Sequence, residues 1–411
     1  MKKYQIWALK LLSFTIMGAM GTFMNFINLY LEQEVGFTGS QIGLVTMISM
    51  SLVIIINPML GYIGDKTGKH KMMLKGAFLA SSIFLALYSQ STTFVMILIV
   101  AVLFEASRAC VGPFLDLITS DFCQKANYEF GKVRVFSSGG FMTTVMGVGF
   151  MIAGVQIPWF NGQTIGFYGF LSPRIAIFAT VIILLLVSFG LMFLIPTPET
   201  HAGTGKSGQF NRRDIKELLL NKNFQFIIVF VILSMVALET AKSFVGNHLV
   251  VGLGSAENIV STMTFVMVFP EFILLPLGTK IIKKFGFKKW YIFSMLTMVG
   301  RMLIYSFTSN IAIFAIASMV HGFGVMTHVA GNVAFIRKVV EPKILGLAFT
   351  IMASVFMFGR ATLAFVYGIL YEQFDGFMVF RVATVLLLMG LGLVIRSKSL
   401  KTIGDEITRE S

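Results

Sequence analysis

The 411-residue chain is 56% hydrophobic and only 13% charged, with a mean hydropathy of +0.83 and a formal net charge of +14. A soluble protein of this size must cover itself with polar side chains, so the composition excludes a water-soluble globular fold and places the chain in lipid. Its two cysteines, Cys110 and Cys123, provide neither a disulfide framework nor metal-ligand spacing and are expected to be small buried thiols.

About 20 apolar residues span a bilayer, and twelve such runs are predicted, at 6–30, 40–63, 72–90, 93–118, 134–156, 173–195, 224–250, 257–281, 289–308, 310–335, 345–369 and 376–396. The run after Lys2 and Lys3 is too long for a secretory h-region and lacks a small-x-small cleavage site, so it is expected to stay as helix 1. The second run leads into Gly61-Tyr-Ile-Gly64-Asp65-Lys66-Thr67-Gly68-Lys69-His70-Lys71. A segment this rich in charge cannot lie in hydrocarbon and must be a tight polar turn at the membrane surface. Its glycines allow close backbone approach, and its Asp65 can cap a helix or pair across a helix interface.

Ionisable groups inside spans cost several kcal/mol and are functional candidates. Helix 4 carries Glu105, Arg108 and Asp116, which with Gly112 are expected to share one helical face. Residues 196–223 break the apolar pattern with Pro196, Pro198, a Gly-rich stretch and a charged segment, and read as a cytoplasmic linker. The domains are thus 1–195, a six-helix bundle; 196–223, the linker; and 224–411, a second six-helix bundle. Gly203-Thr-Gly205-Lys206-Ser207 lacks both the first glycine of a phosphate loop, since position 200 is Thr, and a preceding strand. In the second half, Glu239 and Lys242 stand at i,i+3 on helix 7, and Glu271 follows Pro270 on helix 8. Arg301 is on helix 9, His321 and His328 share a face of helix 10, and Arg360 and Arg381 lie on helices 11 and 12. Asp116, Glu271 and Arg301 have no evident partner within one helical turn. The stretch Ile282-Lys283-Lys284-Phe285-Gly286-Phe287-Lys288-Lys289 follows helix 8 as the first polar turn follows helix 2, with Lys283 in the place of Asp65. Such a repeat implies two related bundles.

All but six of the 33 Lys and Arg lie in the tails, in segments after even-numbered helices or in the span ends that adjoin them, while the opposite connections carry none. The positive-inside rule then puts both termini in the cytoplasm, and the net charge reports topology and not nucleic-acid binding. No Ser-His-Asp, zinc or Walker signature is present, so no enzyme, metal or organic cofactor is expected. The short linker and tails leave no room for a signalling domain, which counts against a non-transporting membrane sensor.

The Gly61-to-Lys71 pattern resembles the loop between helices 2 and 3 of major facilitator superfamily transporters, in which Gly61, Gly64, Asp65, Gly68 and Lys69 form the conformational loop. Pro113-Phe-Leu-Asp116 and Tyr128-Glu-Phe-Gly131-Lys-Val-Arg134-Val-Phe136-Ser-Ser-Gly-Gly-Phe141 resemble helices 4–5 of the oligosaccharide:proton symporters, the lactose permease-like family, and of its phenylpropionate permease-like branch. The resemblance implies the major facilitator fold: an all-α integral membrane protein with twelve transmembrane helices in two pseudo-symmetric six-helix bundles. It also implies that Asp116 and Arg134, eighteen positions apart, pair around substrate hydroxyls, a carboxylate accepting and a guanidinium donating. Phe141 stands where the family stacks a Trp on the sugar ring, so galactoside specificity is not implied. Asn25 and Arg108 complete the substrate set.

Arg301 and His321 resemble the Arg and His of the family's coupling network, but Gly324 stands where that family has its proton-carrying Glu. Glu271 is the first alternative for the proton, with His321, Glu105 and His328 in the coupling set. The function implied is uptake of a sugar or oligosaccharide with the proton as coupling ion, by a monomer in the cell membrane that binds no nucleic acid. Alternatives are uptake of a small organic or aromatic acid or a nucleoside, and drug efflux by proton antiport.

Overall fold

The computed structural model describes residues 3–126, 128, 130–158, 164–195, 212–274, 277–341, 344–397 and 400. The first half contains α1 (Lys3–Gln33), α2 (Gly39–Thr67), α3 (His70–Gln90), α4 (Phe94–Arg108), α5 (Val111–Ala126), α6 (Phe130–Ala153) and α7 (Pro173–Leu191). The second contains α8 (Arg212–Leu220), α9 (Lys222–Val231), α10 (Ala237–Lys242), α11 (Val245–Asn247), α12 (Asn258–Leu274), α13 (Gly278–Phe285) and α14 (Phe287–Tyr305). It continues with α15 (Ile311–Ser318), α16 (His321–Met326), α17 (Asn332–Val339), α18 (Leu345–Gln373) and α19 (Gly376–Arg396). Among the described residues, ten helical stretches are long and apolar enough to cross a membrane. The eighth and ninth expected spans are occupied by α12, of 17 residues, and by α14, of 19 residues and carrying Lys288, Lys289 and Arg301.

The all-helical expectation acquires one addition. Before α7 the chain forms a small antiparallel hairpin, β1 (Val155–Pro158) with β2 (Thr164–Phe167), in which Val155 pairs with Phe167 and Pro158 with Thr164. Helix starts follow local capping chemistry. Thr38 and Gln41 form a capping box at α2; Ser172 caps α7 ahead of Pro173; Asn310 and Asp375 cap α15 and α19.

Three expected single helices are broken. The fourth turns at Ala109 and Cys110, just before Gly112 and Pro113, because Pro113 has no N–H for the helical ladder and its ring crowds the preceding turn. The break separates Glu105 and Arg108 from Asp116, so the expected continuous stripe does not form: Gly112 and Asp116 are exposed while Glu105 is buried. The seventh is divided among α9, α10 and α11 by π-helical turns at Ile232–Val236 and His248–Gly252. The tenth is divided among α15, α16 and α17, with a π-helical turn at Thr327–Gly331.

By internal contacts the chain forms two compact units. One comprises Met1–Gly208 with Leu249–Thr264, the other Gln209–His248 with Phe265–Ser411. In the first, α1 packs on α6 and α7, and α4 on α2 and α3; in the second, α14 packs on α19 and α18 on α10. The segment from Leu249 joins the first unit through Asn258 Nδ2, which donates to Gly154 O at 3.1 Å, and Thr264 Oγ1, which donates to Asn25 Oδ1 at 2.9 Å.

The polar turn closes α2 with Gly68 in the left-handed region (φ +64), its N–H donating to Gly64 O at 2.8 Å. Gly64 is required by space: a Cβ there would stand 2.8 Å from both the His70 ring and Phe114 Cζ. His70 and Phe114 themselves meet edge to face at 4.9 Å, which locks α2, α3 and α5 together. The side chains of Asp65, and of Lys283 in the second copy, lie outside what the structure describes. Gly286 (φ +79) closes α13 as Gly68 closes α2. In each half a lysine from this turn donates to a backbone carbonyl at or just beyond the end of that half's last helix. Lys71 Nζ donates to Ile195 O at 2.5 Å, and Lys288 Nζ to Ile395 O and Ser397 O at 2.8 and 3.1 Å.

Gly64→Val is expected to destabilise the protein by about 1–3 kcal/mol through overpacking against His70 and Phe114. Gly61→Ala meets nothing within 4 Å and is expected to be neutral. Thermal unfolding of the two purified variants in detergent checks the contrast.

Candidate functional site

In the first unit, Asp116 of α5 and Arg134 of the first turns of α6 come together, Arg134 Nη1 donating to Asp116 Oδ1 at 3.2 Å. Both side chains are about half exposed, 54% and 55%. An ion pair this open contributes little to stability, and most of both groups' hydrogen-bonding capacity remains free for a ligand. Phe141, two turns along α6, lies against α1, where a Cβ on Gly21 would be 2.7 Å from its ring. Asn25 is one turn further on α1; its Nδ2 donates to Gly21 O at 2.8 Å and its Oδ1 accepts from Thr264.

Arg108 is placed elsewhere. Its guanidinium is 2.6 Å from the buried Glu105 carboxylate, and its Nη1 contacts Met20 Sδ at 3.0 Å. It lines a small apolar cavity with Met20, Phe23, Phe104 and Val181. Its charge is matched locally, so the expected set divides into an open Asp116–Arg134 pair and a closed Glu105–Arg108 pair.

The second unit holds a longer network. Lys242 Nζ lies 2.5 Å from Glu239 Oε2, and Glu239 Oε1 lies 3.7 Å from His321 Nε2. His321 Nδ1 is 2.7 Å from Arg301 Nη1, whose Nη2 contacts Met267 Sδ at 3.0 Å. Arg301 Nε donates to Tyr305 OH at 3.2 Å, and Tyr305 is hydrogen-bonded to Ser318. Arg301 therefore does have a partner one turn away, contrary to expectation. It is 1% exposed, and His321 is 2% exposed. His328 does not share this network: its Nδ1 is 2.8 Å from Asn332 Nδ2, and its ring stacks on Phe230 at 5.6 Å.

Glu271 is partly exposed on α12, and its carboxylate makes no hydrogen bond or ion pair among the described residues, although it feels the charges of Lys242 and Glu239. The backbone at Glu271 is in direct contact with α16, since a Cβ on Gly322 would be 2.9 Å from its Cα and N. At Gly324 a Cβ would be 2.7 Å from Met298 Sδ, so the position where the resembled family carries its Glu is filled by packing here. Sequence reasoning passed over Tyr305, Asn332 and His248. The i,i+4 spacing to Arg301 marks the first, and the i,i+4 spacing to His328 marks the second. His248 is 1% exposed among Phe314, Phe377 and Phe380, with neither ring nitrogen hydrogen-bonded; no periodicity distinguishes it.

The model of the MFS_1 like family matches residues 6–382. The chain belongs to that family. It is 21% identical over 398 residues to the maltose permease of Geobacillus stearothermophilus, covering 96% of this chain and 95% of the permease. Its fold is that of the nucleoside transporter NupG, with a TM-score of 0.80 at 16% identity over 96% of this chain and 100% of that one. A D-xylose-proton symporter aligns with a TM-score of 0.69 at 13% identity, covering 95% and 96% of the two chains. The chain is thus a multi-pass membrane protein of a transporter family within the major facilitator superfamily.

The two kinds of pair separate in stability. Arg301→Met strands Tyr305 and His321 in a buried site and is expected to cost about 2–4 kcal/mol. Asp116→Asn is expected to change stability by less than about 1 kcal/mol. Denaturation midpoints of both variants in detergent check this ordering.

Proposed function

We propose that the protein is a proton-coupled symporter that takes up a sugar-like polar solute across the cell membrane, with both termini cytoplasmic. The observation that carries the reading is the Asp116–Arg134 pair. It is half open, it contributes little to the fold, and it combines an acceptor and a planar donor fork suited to vicinal hydroxyls. Phe141 and Asn25 supply an apolar ring face and an amide toward the same class of solute. A maltose permease among the relatives, and a nucleoside transporter and a xylose-proton symporter among the structural neighbours, agree with a cargo bearing a sugar moiety.

Glu271 is the proposed proton carrier. Among the described residues, Glu105 and Glu239 are engaged by Arg108 and Lys242, so neutralising either strands a cation. The Glu271 carboxylate has no such partner and can exchange a proton without breaking an ion pair. Its nearness to Lys242 and Glu239 gives its charge a route to the His321–Arg301 network. Coupling then means that proton and solute each favour the same conformational change, a shared free energy between two sites.

The test is accumulation in proteoliposomes under an inside-alkaline gradient, with a panel of mono- and disaccharides, nucleosides and aromatic acids. Wild type is expected to concentrate at least one sugar-bearing member. Asp116→Asn is expected to lower uptake at least tenfold at unchanged thermal stability, and Glu271→Gln to abolish accumulation while leaving downhill exchange. Lack of accumulation of every member, together with an Asp116→Asn variant indistinguishable from wild type, sinks the reading. Resistance to exported drugs on expression favours antiport instead.

A further inference from the structure

The first unit holds two ammonium groups side by side where the start of α3 packs against the end of α7. Lys71 Nζ is bound to Ile195 O, and one turn along α3 Lys75 Nζ lies 3.4 Å from the centroid of the Phe193 ring. A ring face attracts a cation but accepts no strong hydrogen bond, so the N–H groups of Lys75 remain unspent. Neither lysine has a carboxylate partner among the described residues, and their two charges act on each other. Like charges at i,i+4 repel, and the dipole at the start of α3 adds to the positive potential.

Backbone capping does not account for the second cation. In the other half Lys288 makes the equivalent carbonyl contact, and the residues four positions beyond Lys288 and Lys289 are Ile292 and Phe293. Lys75 is thus an addition of the first half. Its surroundings are those of a membrane interface. The helix α3 has 21 residues, about 31 Å at 1.5 Å per residue, close to the thickness of a hydrocarbon core. Lys75 lies about 8 Å from the start of that helix, within reach of the headgroups. Deeper along the same two helices Leu79, Ile83, Ile183 and Val187 are exposed, an apolar surface suited to acyl chains. Beside the lysine and its ring, Gly76 and Gly190 are exposed, and a Cβ on either would meet nothing within 4 Å.

We propose that this corner of α3 and α7 binds the headgroup of an anionic phospholipid from the leaflet on the side of the polar turn. The phosphodiester oxygens accept from Lys75 and from the remaining hydrogens of Lys71, which converts a repelling pair into a bridged one. The acyl chains then run over the apolar surface below. A free phosphate would leave that surface unused, and phosphatidylcholine would bring its own cation to a site already doubly positive. The site is independent of the cargo and of the coupling ion.

The experiment is native mass spectrometry of the whole protein in detergent, titrated with phosphatidylglycerol or with phosphatidylcholine of the same acyl chains. The first phosphatidylglycerol adduct is expected to be the tighter, each lysine contributing about fivefold, as one basic residue does at an anionic membrane surface. Lys75→Gln is expected to weaken that adduct by about the same fivefold and to leave the phosphatidylcholine adduct unchanged. Lys75→Arg is expected to keep it. Gly76→Phe, which crowds the site without altering charge, is expected to weaken it. Lys284→Gln, which removes an exposed ammonium beside Phe285 in the second unit, is expected to have no effect. Equal affinity of wild type for the two lipids overturns the inference, and so does a Lys75→Gln adduct as tight as that of wild type. Should Lys75→Gln not fold, an undiminished adduct in Gly76→Phe overturns it equally. Displacement of the lipid by inorganic phosphate at equal concentration also overturns it, because the lysines then read a free anion and not a lipid.

Discussion

A guanidinium sealed inside a protein that sits in lipid cannot be left alone, and Arg301 is the point from which the second unit is organised. At 1% exposure it is shielded from bulk solvent, so its hydrogens need partners within the protein. The partners come from separate elements: His321 from α16, Tyr305 from its own helix, Met267 from α12, with Glu239 and Lys242 of α10 behind His321 and Ser318 of α15 behind Tyr305. Five helices are thereby held in one relative register. Glycines complete the fit. Gly322 brings α16 onto the backbone at Glu271, and Gly324 makes room for Met298.

The same requirement explains the uneven treatment of charge. Where a pair is buried, as in Glu105–Arg108, the partners are close and committed to each other. Where a pair is open, as in Asp116–Arg134, its geometry is looser and its bonding capacity is unspent. The closed pair therefore carries structural weight that the open pair does not, so the open pair can vary without endangering the bundle. The π-helical turns follow a related logic. They occur in the helices that carry Glu239 and His328, and each leaves backbone geometry that a regular helix cannot offer.

Much of this was legible in the residues alone. Span positions and the polar turn follow from hydropathy and glycine placement; the Asp116–Arg134 pairing was implied by the family resemblance alone, and the structure brings that pair together. The i,i+3 spacing of Glu239 and Lys242 also foretold their contact. What could not be read was anything set by tertiary packing. A break at Ala109 moves Asp116 away from Arg108, although unbroken helical periodicity aligns them. His321 and His328 share a nominal face seven residues apart, yet an intervening π-helical turn delivers them to different neighbours. The hairpin at 155–167 was hidden because a short strand pair in a connecting segment carries no hydropathy signal of its own.

Lys71 and Lys288 make the same kind of contact in two unlike settings. The two polar turns differ so much that Asp65 in one is answered by Lys283 in the other, and their letters scarcely align. Each nevertheless keeps an ammonium that reaches back to the carbonyls ending its own half, at Ile195 and at Ile395. The same contact, an ammonium on backbone acceptors near the end of its own half, is thus made by two turns of unlike sequence.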